Sequence, residues 1–180
     1  MKRIVFIDAG HGGSDAGASI DGVNEKDVAL FIALLTGQLL EQRGYVAEYS
    51  RDTDEDMTAP RAAAANFLKA ACFVSIHCGS SDQECAHGIE TFYRKGDCRG
   101  ATLAKAAQPK LIAVTNAKNR LVRGVTDIAE LNDAIMPAIR VNVGFLSHDN
   151  ERYLLDTPAY KQSIAGAIAE AIDAYLSASS

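Results

Sequence analysis

The sequence predicts a single-domain α/β fold, with a mostly parallel twisted sheet and helices on both faces. Short apolar runs typical of buried strands alternate along the chain with longer segments of helical periodicity. The chain has 180 residues, 48% of them hydrophobic, which is enough to bury one core. Because no linker and no internal repeat divides it, we expect one domain over residues 1–176 and a short polar tail over 177–180.

The first half of the chain predicts two strands and two helices. The runs "RIVFID" at 3–8 and "YVAEYS" at 45–50 are typical of strands. Residues 25–43 predict a helix because apolar side chains recur there at helical spacing: Val28, Phe31, Ile32, Leu35 and Leu39. A second helix is predicted to begin at Thr58, with Pro60 in its first turn, and to end near Ala70.

The second half predicts four strands and two helices. The uniformly apolar "CFVSI" at 72–76 predicts a central strand, and "GIETFY", "DIAEL" and "PAIRV" predict three more. Residues 100–114 have a helical pattern, but Pro109 is expected to kink or split that helix. Residues 159–176 predict a C-terminal helix because Ile164, Ile168 and Ile172 lie on one face.

The composition excludes several classes of partner. A net charge of −5 disfavours nucleic acid, and no apolar stretch is long enough to span a bilayer. We therefore expect no nucleic-acid partner and no membrane insertion. We also expect a monomer, although the sequence does not show the oligomeric state. No signal peptide is recognisable, so either the protein is made without an export signal or the sequence begins after one. Its localisation stays open.

The four cysteines predict no zinc motif of their own. Cys72, Cys78, Cys85 and Cys98 include no CxxC pair, and their spacings match no common zinc-binding pattern. We expect ordinary thiols. A disulfide between Cys78 and Cys85 across a short loop is the alternative.

Polar residues follow three of the predicted strands, at the edge where ligands bind in open α/β sheets. His11 follows the first strand, His77 follows "CFVSI" and Asn142 follows "PAIRV", while Glu25 begins the first helix. Two histidines and one carboxylate are a common catalytic zinc set that leaves a fourth position for water. The sequence therefore predicts that His11, Glu25 and His77 bind Zn²⁺. The alternative is that each histidine is simply solvated or hydrogen-bonded.

Several residues near the predicted zinc ligands are expected either to support these ligands or to have no part in the site. Glycines on either side of His11 allow a sharp bend, and Asp8 is placed to orient a ligand imidazole. His87 and His148 lack partner spacing and are interpreted as surface residues. The acidic run is interpreted as a solvated loop and consists of Asp52, Asp54, Glu55 and Asp56. Arg51 and Asp52, directly after the second strand, could instead line the site.

Seven motifs together resemble one enzyme family. They are "IDAGHGGSDAGAS", "NEKDVAL", "SRDTDED", "VSIH", "GIETFY", "PAIRVNVGFLSHDNE" and "YLLD". In order and content they are similar to zinc-dependent N-acetylmuramoyl-L-alanine amidases of the third amidase class, from about residue 3 to about residue 176. The resemblance implies hydrolysis of the amide between N-acetylmuramic acid and the L-alanine of the stem peptide. It implies peptidoglycan or muropeptides as partners, and His11, Glu25 and His77 as zinc ligands.

The chain departs from this family at the catalytic position. Asn142 stands where the family has a glutamate, in a pattern like "VEVGFLSN", that acts as general base and general acid. An amide has no useful pKa, and losing acid–base assistance typically costs a factor of about 100 to 10,000 in rate. The sequence therefore predicts either a weakly active zinc amidase or a non-catalytic, zinc-containing peptidoglycan-binding pseudoenzyme. An engineered Asn142 and a hydrolase for a different amide are further alternatives.

Two other expectations follow from the resemblance. The family commonly reads "HxN" where this chain has His77-Cys78-Gly79, so a polar group is missing there. The connection between His77 and "GIETFY" is too short for the inhibitory helix that some members carry, which predicts an open groove. If another carboxylate replaces the missing base, Glu130 is the best placed of Glu130, Asp133 and Glu151.

Overall fold

The computed structural model describes residues 2–56, 60–83 and 85–178, and its centre is a six-stranded mixed sheet. The strands of this sheet lie in the order β4-β1-β5-β8-β6-β7. Their bounds are β1 Ile4–Ala9, β4 Val46–Tyr49, β5 Cys72–Gly79, β6 Ile89–Arg94, β7 Asn119–Val125 and β8 Ala138–Phe145. Neighbouring strands are parallel except for β6 and β8, which are antiparallel. The predicted fold class is confirmed.

Six helices and a small hairpin complete the described structure. The helices are α1 Glu25–Gln42, α2 Arg61–Phe67, α3 Cys98–Thr115, α4 Ala129–Asp133, α5 Asp149–Asp156 and α6 Pro158–Ala178. Strands β2 Ser19–Ile20 and β3 Val23–Asn24 form the hairpin just before α1. Within the described part of the chain, no helix is long and apolar enough to cross a bilayer.

The two faces of the sheet are covered unequally. Helices α1, α3 and α6 pack on one face, where most of the apolar core lies. The other face has a smaller cluster formed with α2 and α4, which includes Phe6, Phe73 and Leu131. Since side chains alternate along a strand, Phe73 shares this second face with Ser75 and His77. Short helices leave part of this face open, and polar residues of the site lie on it.

Several predicted elements differ from the structure. The strand predicted at "DIAEL" is wrong, because these residues lead into helix α4, and the edge strand is β7. Helix α3 runs through Pro109 without splitting. The start predicted at Thr58 lies outside the described residues, and α2 begins at Arg61. Of the predicted tail 177–180, the first two residues belong to α6 and the last two lie outside the described part.

The cysteines match the prediction of ordinary thiols. All four cysteines are free thiols among the described residues, and Cys78 is buried while Cys85 is exposed, so the alternative disulfide is not formed.

The predicted apolar face of α1 is only partly buried. Val28 and Ile32 are buried in the core, but Phe31 lies at the edge of the core, under the ammonium group of Lys161.

Candidate metal and substrate site

His11, Glu25 and His77 come together at one point, as the sequence predicts. Glu25 Oε1 lies 3.2 Å from His11 Nε2 and 2.9 Å from His77 Nδ1. One nitrogen or oxygen atom from each residue lies within 4.8 Å of the others, which is close enough to hold one metal ion. Glu25 and His77 are buried, whereas His11 is half-buried and open to the cleft. His11 follows β1, but His77 lies inside β5, which continues to Gly79.

The charge states of Glu25 and His77 suit a cation, whereas at His11 a metal ion would compete with a proton. Burial by itself would raise the pKa of Glu25, but hydrogen bonds from His11 and His77 hold that pKa well below its usual range. Burial lowers the pKa of His77, so its imidazole is favoured in the neutral form. The hydrogen bond with Glu25 raises the pKa of His11. An ionised carboxylate and a neutral imidazole are the forms that bind metal ions.

Glycines let the backbone approach the donor atoms closely. A Cβ atom on Gly10 would lie 2.5 Å from His77 Cε1, and one on Gly17 would lie 2.6 Å from His11 Cδ2. Gly12 and Gly13 have positive φ angles of 140° and 55°, which L side chains rarely adopt. Together with the donor set and its charges, this cradle fits a bound Zn²⁺ ion.

The imidazole of His11 is hydrogen-bonded to Asp15, and the prediction that Asp8 orients an imidazole of the cluster is wrong. Asp15 Oδ2 lies 2.8 Å from His11 Nδ1, on the side of the ring away from Glu25. Asp8 is buried and instead binds Arg61 Nη1 at 2.7 Å and accepts a hydrogen bond from Ser75 Oγ at 2.6 Å. Asp8 and Asp15 are both near His11 in sequence, and only the turn at Gly12 decides which of them faces the ring.

The residues of the acidic run are exposed, as predicted, and two of them also hold the loop that carries His11. Asp54 accepts a hydrogen bond from Gly13 N at 2.8 Å and binds Lys26 Nζ at 2.7 Å. Asp56 accepts hydrogen bonds from the backbone and hydroxyl of Ser14. Arg51 is buried and donates to the carbonyls of Ala9, Gly10, Lys26 and Thr53. This network holds the loop that carries His11 in place.

Asn142 lies in the same row of the sheet as His77. It is part of β8, which continues to Phe145, so the prediction that Asn142 follows the end of its strand is wrong. In register it pairs with His77 on β5 and with Glu90 on β6. Residues paired in this way project from the same face of a sheet. Sequence reasoning missed Glu90, because the pairing of β6 with β8 joins segments about 50 residues apart in the chain.

A groove of about 360 Å³ runs along the open sheet face beside this row. Its lining residues are Phe92, Arg123, Val125, Asp127, Ile128, Arg140 and Asn142. In the β5–β6 connection, the described residues 80–83 and 85–88 form no helix that could cover the face. Gly79 packs under Phe145, whose ring would lie 2.9 Å from an added Cβ.

The other candidate carboxylates and histidines are engaged elsewhere. Glu130 lies 3.3 Å from Arg140 Nη1, and buried Glu151 accepts hydrogen bonds from Gly88 N and Phe145 N. His87 and His148 are partly exposed, in line with the prediction of surface residues, and in addition they stack on each other with ring centroids 4.9 Å apart. Neither histidine belongs to the donor cluster.

A mixed α/β sheet with a His, Glu and His cluster beside an open groove is typical of hydrolase domains that bind a catalytic metal. The sequence profile of the N-acetylmuramoyl-L-alanine amidase family matches residues 5–174. The chain therefore belongs to the N-acetylmuramoyl-L-alanine amidase family, and its enzyme class is that of the cell-wall amidases.

Individual relatives agree with this assignment. The germination-specific N-acetylmuramoyl-L-alanine amidase of Bacillus subtilis is 27% identical over 188 residues, which cover 96% of this chain and 79% of that relative. The solved structure of the amidase AmiC2 of Nostoc punctiforme superposes with a TM-score of 0.92 at 34% identity, over 98% of both chains. The catalytic domain of the amidase CwlV from Bacillus (Paenibacillus) polymyxa var. colistinus has a TM-score of 0.91 at 31% identity, over 97% of this chain and 98% of that one.

Proposed function

We propose that this protein is a zinc-dependent amide hydrolase of peptidoglycan, cleaving between N-acetylmuramic acid and the L-alanine of the stem peptide. Its activity is low because Asn142 occupies the position of the general base. The observation that carries this proposal is the intact cluster of His11, Glu25 and His77, with donor atoms within 4.8 Å of one another, beside an amide at position 142.

The three donor residues would hold Zn²⁺, each through one atom. When bound, zinc polarises a carbonyl oxygen and lowers the pKa of a bound water to roughly 7. Asp15 fixes the ring of His11 by accepting from Nδ1, so that Nε2 faces the cluster. The buried carboxylate of Glu25 also accepts hydrogen bonds from the backbone of Ala18 and Cys78, which fixes both of its oxygens. These contacts support the proposal that the three residues hold the metal ion.

Asn142 cannot supply the proton transfer that amide hydrolysis requires at this position. Its amide can accept or donate a hydrogen bond to the scissile group or to water, but it cannot take up a proton and pass it to the leaving amine. Hydrolysis then depends on metal polarisation and on positioning in the groove. We expect turnover lower than that of a glutamate-containing site by a factor of about 100 to 10,000.

The test of the proposed function is the identity of the bond that is cut. Purified peptidoglycan is incubated for a long period with the zinc-loaded protein, and the products are identified by mass spectrometry. The proposal predicts stem peptides with a free L-alanine amino group and glycan strands without new reducing ends. A matched sample of the His77→Gln variant is expected to release none. Release at another bond would contradict the substrate assignment.

A second candidate function is peptidoglycan binding without turnover, and Asn142 is the observation that favours it. The groove beside Asn142 and the donor cluster would be retained for recognition of muropeptides. Co-sedimentation with insoluble peptidoglycan tests this function, because a pseudoenzyme would sediment with the polymer and release no peptide at any incubation time.

A further inference from the structure

His11 is held in a backbone conformation that few residues other than glycine adopt. Its φ angle is 59°, in the left-handed region, where the Cβ atom of an L residue crowds the following carbonyl oxygen. A residue stays in this region only when the surrounding structure holds it there. The φ angle also sets the direction in which the imidazole leaves the backbone. The contacts that hold this angle therefore also keep His11 Nε2 at 3.2 Å from Glu25 Oε1.

Arg61, the first residue of α2, contacts the backbone at this point. Its Nη2 atom donates to the carbonyl of His11 at 3.1 Å, and its Nη1 atom donates to the carbonyl of Ala9 at 2.8 Å. The planar guanidinium thus spans the backbone from the last residue of β1 to His11. The Arg61 side chain is only 19% exposed, so water offers little competition for these hydrogen bonds.

The buried carboxylate of Asp8 fixes the guanidinium in turn. Asp8 Oδ1 lies 2.7 Å from Arg61 Nη1, and Asp8 Oδ2 accepts a hydrogen bond from Ser75 Oγ at 2.6 Å. Ser75 lies on β5, two residues before His77. A buried ion pair holds its geometry firmly, because displacing one partner leaves the other charge unpaired. Asp8 therefore anchors Arg61 to both strands that lead to the histidines of the donor cluster.

We propose that Arg61 is a positioning residue, which holds the backbone of His11 in its left-handed conformation and keeps the donor cluster ready to bind a metal ion. The inference rests on the proposed function for the identity of that ion, which is Zn²⁺. Without the contact from Arg61, His11 relaxes toward a negative φ and its imidazole moves away from Glu25. Zinc then binds only the fraction of molecules that return to the strained form, and its apparent affinity falls by that fraction.

The Arg61→Lys variant separates the charge of Arg61 from its geometry. A lysine ammonium can take the place of Nη1 and keep the ion pair with Asp8, but one nitrogen cannot also take the place of Nη2. We therefore expect the Tm of the metal-free variant to stay within a few degrees of the native value. Its zinc dissociation constant, measured by competition with a chelator, should rise about 10- to 100-fold, the range for one hydrogen bond from a charged donor.

Arg99→Lys is the matched control. Arg99 also lies beside an aspartate, with its Nε 3.8 Å from Asp97 Oδ1, and its Nη2 also donates to a backbone carbonyl, that of Ile135 at 3.1 Å. It has no contact with the donor cluster. We expect Arg99→Lys to bind zinc as tightly as the native protein does.

A purely structural role of Arg61 would give a different pattern. Arg61→Lys would then bind zinc as tightly as the native protein, or lose affinity only as far as its metal-free Tm falls, and the proposal would be wrong. If Arg61→Lys fails to fold, Ser75→Ala replaces it. That variant loosens Asp8 and should weaken zinc binding about two- to tenfold, whereas unchanged affinity would overturn the proposal.

The same titrations separate this inference from the proposed function. Zinc binding and peptide release by the native protein, together with native zinc affinity in Arg61→Lys, would overturn the inference and leave the proposed function standing. No zinc binding by the native protein would overturn both.

Discussion

The side chains at positions 142 and 90 face each other, so a charge on one of them affects the protonation of the other. In the native chain a neutral amide faces the carboxylate of Glu90 at 3.5 Å. In an Asn142→Glu variant two carboxylates would share that space, and like charges disfavour having both ionised. The pKa at which the new base loses its proton is therefore expected to rise above the ordinary value for glutamate.

The pH dependence of the Asn142→Glu variant measures this coupling. A general base works only when deprotonated, so activity should fall as the pH drops through its raised pKa. Adding Glu90→Gln removes the neighbouring charge and should move this acidic limb to lower pH. Glu130→Gln in the same background is the control, because Glu130 is paired with Arg140. Identical acidic limbs in all three proteins would show that Glu90 and position 142 are not coupled.

A second prediction at the residue scale concerns zinc binding by the donor cluster. Glu25→Gln replaces the ionised oxygen that lies 3.2 Å from His11 and 2.9 Å from His77 with a neutral amide, which is a poor zinc ligand. We expect the native protein to carry one zinc per chain after loading and the variant to carry almost none, as measured by elemental analysis. His87→Gln is the control and should keep its zinc, because His87 lies outside the cluster.

At the scale of elements, the loop between β1 and α1 has to pass extremely close to strand β5. An alanine Cβ at Gly10 would lie 2.5 to 2.7 Å from three ring atoms of His77. Gly10→Ala must therefore displace either the loop or the imidazole, and each of them carries a proposed zinc donor. We expect a zinc dissociation constant at least tenfold higher than that of the native protein, measured by competition with a chelator.

Gly166→Ala is the matched control for this prediction. Gly166 lies within α6, and an added Cβ there meets no atom within 4 Å. Alanine is favoured over glycine inside a helix by about 0.5–1 kcal/mol, so this variant should be slightly more stable and bind zinc as the native protein does. Equal zinc affinities for Gly10→Ala and Gly166→Ala would contradict the role assigned to Gly10.

Elements with a strong apolar pattern were predictable from sequence, and those at the sheet edge were not. β5 is buried along its whole length, and the apolar run that predicts it is correspondingly clear. β7 is an edge strand with alternating exposed residues and an exposed Leu121 at a positive φ of 72°, so its sequence has no continuous apolar run. The apolar residues of "DIAEL" mark instead the side of α4 that packs on Phe73 and its neighbours.

At the scale of the whole molecule, the clustering of His11, Glu25 and His77 was predictable from sequence, but the surroundings of the cluster were not. His11, Glu25 and His77 each belong to a short motif that a reader can recognise locally. The roles of Glu90 and Asp15 depend on strand register and on the direction of one turn. Such features result from long-range pairing, which apolar periodicity does not specify.

Zinc binding is expected to stabilise the whole domain in a pH-dependent way. A ligand at 100 times its dissociation constant stabilises the native state by about 2.7 kcal/mol, which corresponds to a rise in Tm of about 5–10 °C for a domain of this size. A hydrogen bond with Glu25 raises the pKa of His11, and a protonated imidazole cannot bind metal. The zinc-dependent rise in Tm should therefore shrink as the pH falls through that raised pKa, as measured by calorimetry with and without zinc. A rise that is independent of pH would exclude His11 as a ligand.

The rate of peptidoglycan hydrolysis by the native protein and by Asn142→Glu, both zinc-loaded, tests the central claim most directly. Release of peptides with a free L-alanine amino group is measured for both proteins under identical conditions. The account predicts that the variant is faster by a factor of about 100 to 10,000, because one carboxyl group completes a site whose metal ligands are already in place. Comparable rates would contradict the account and would mean that another group of this chain already supplies the proton transfer.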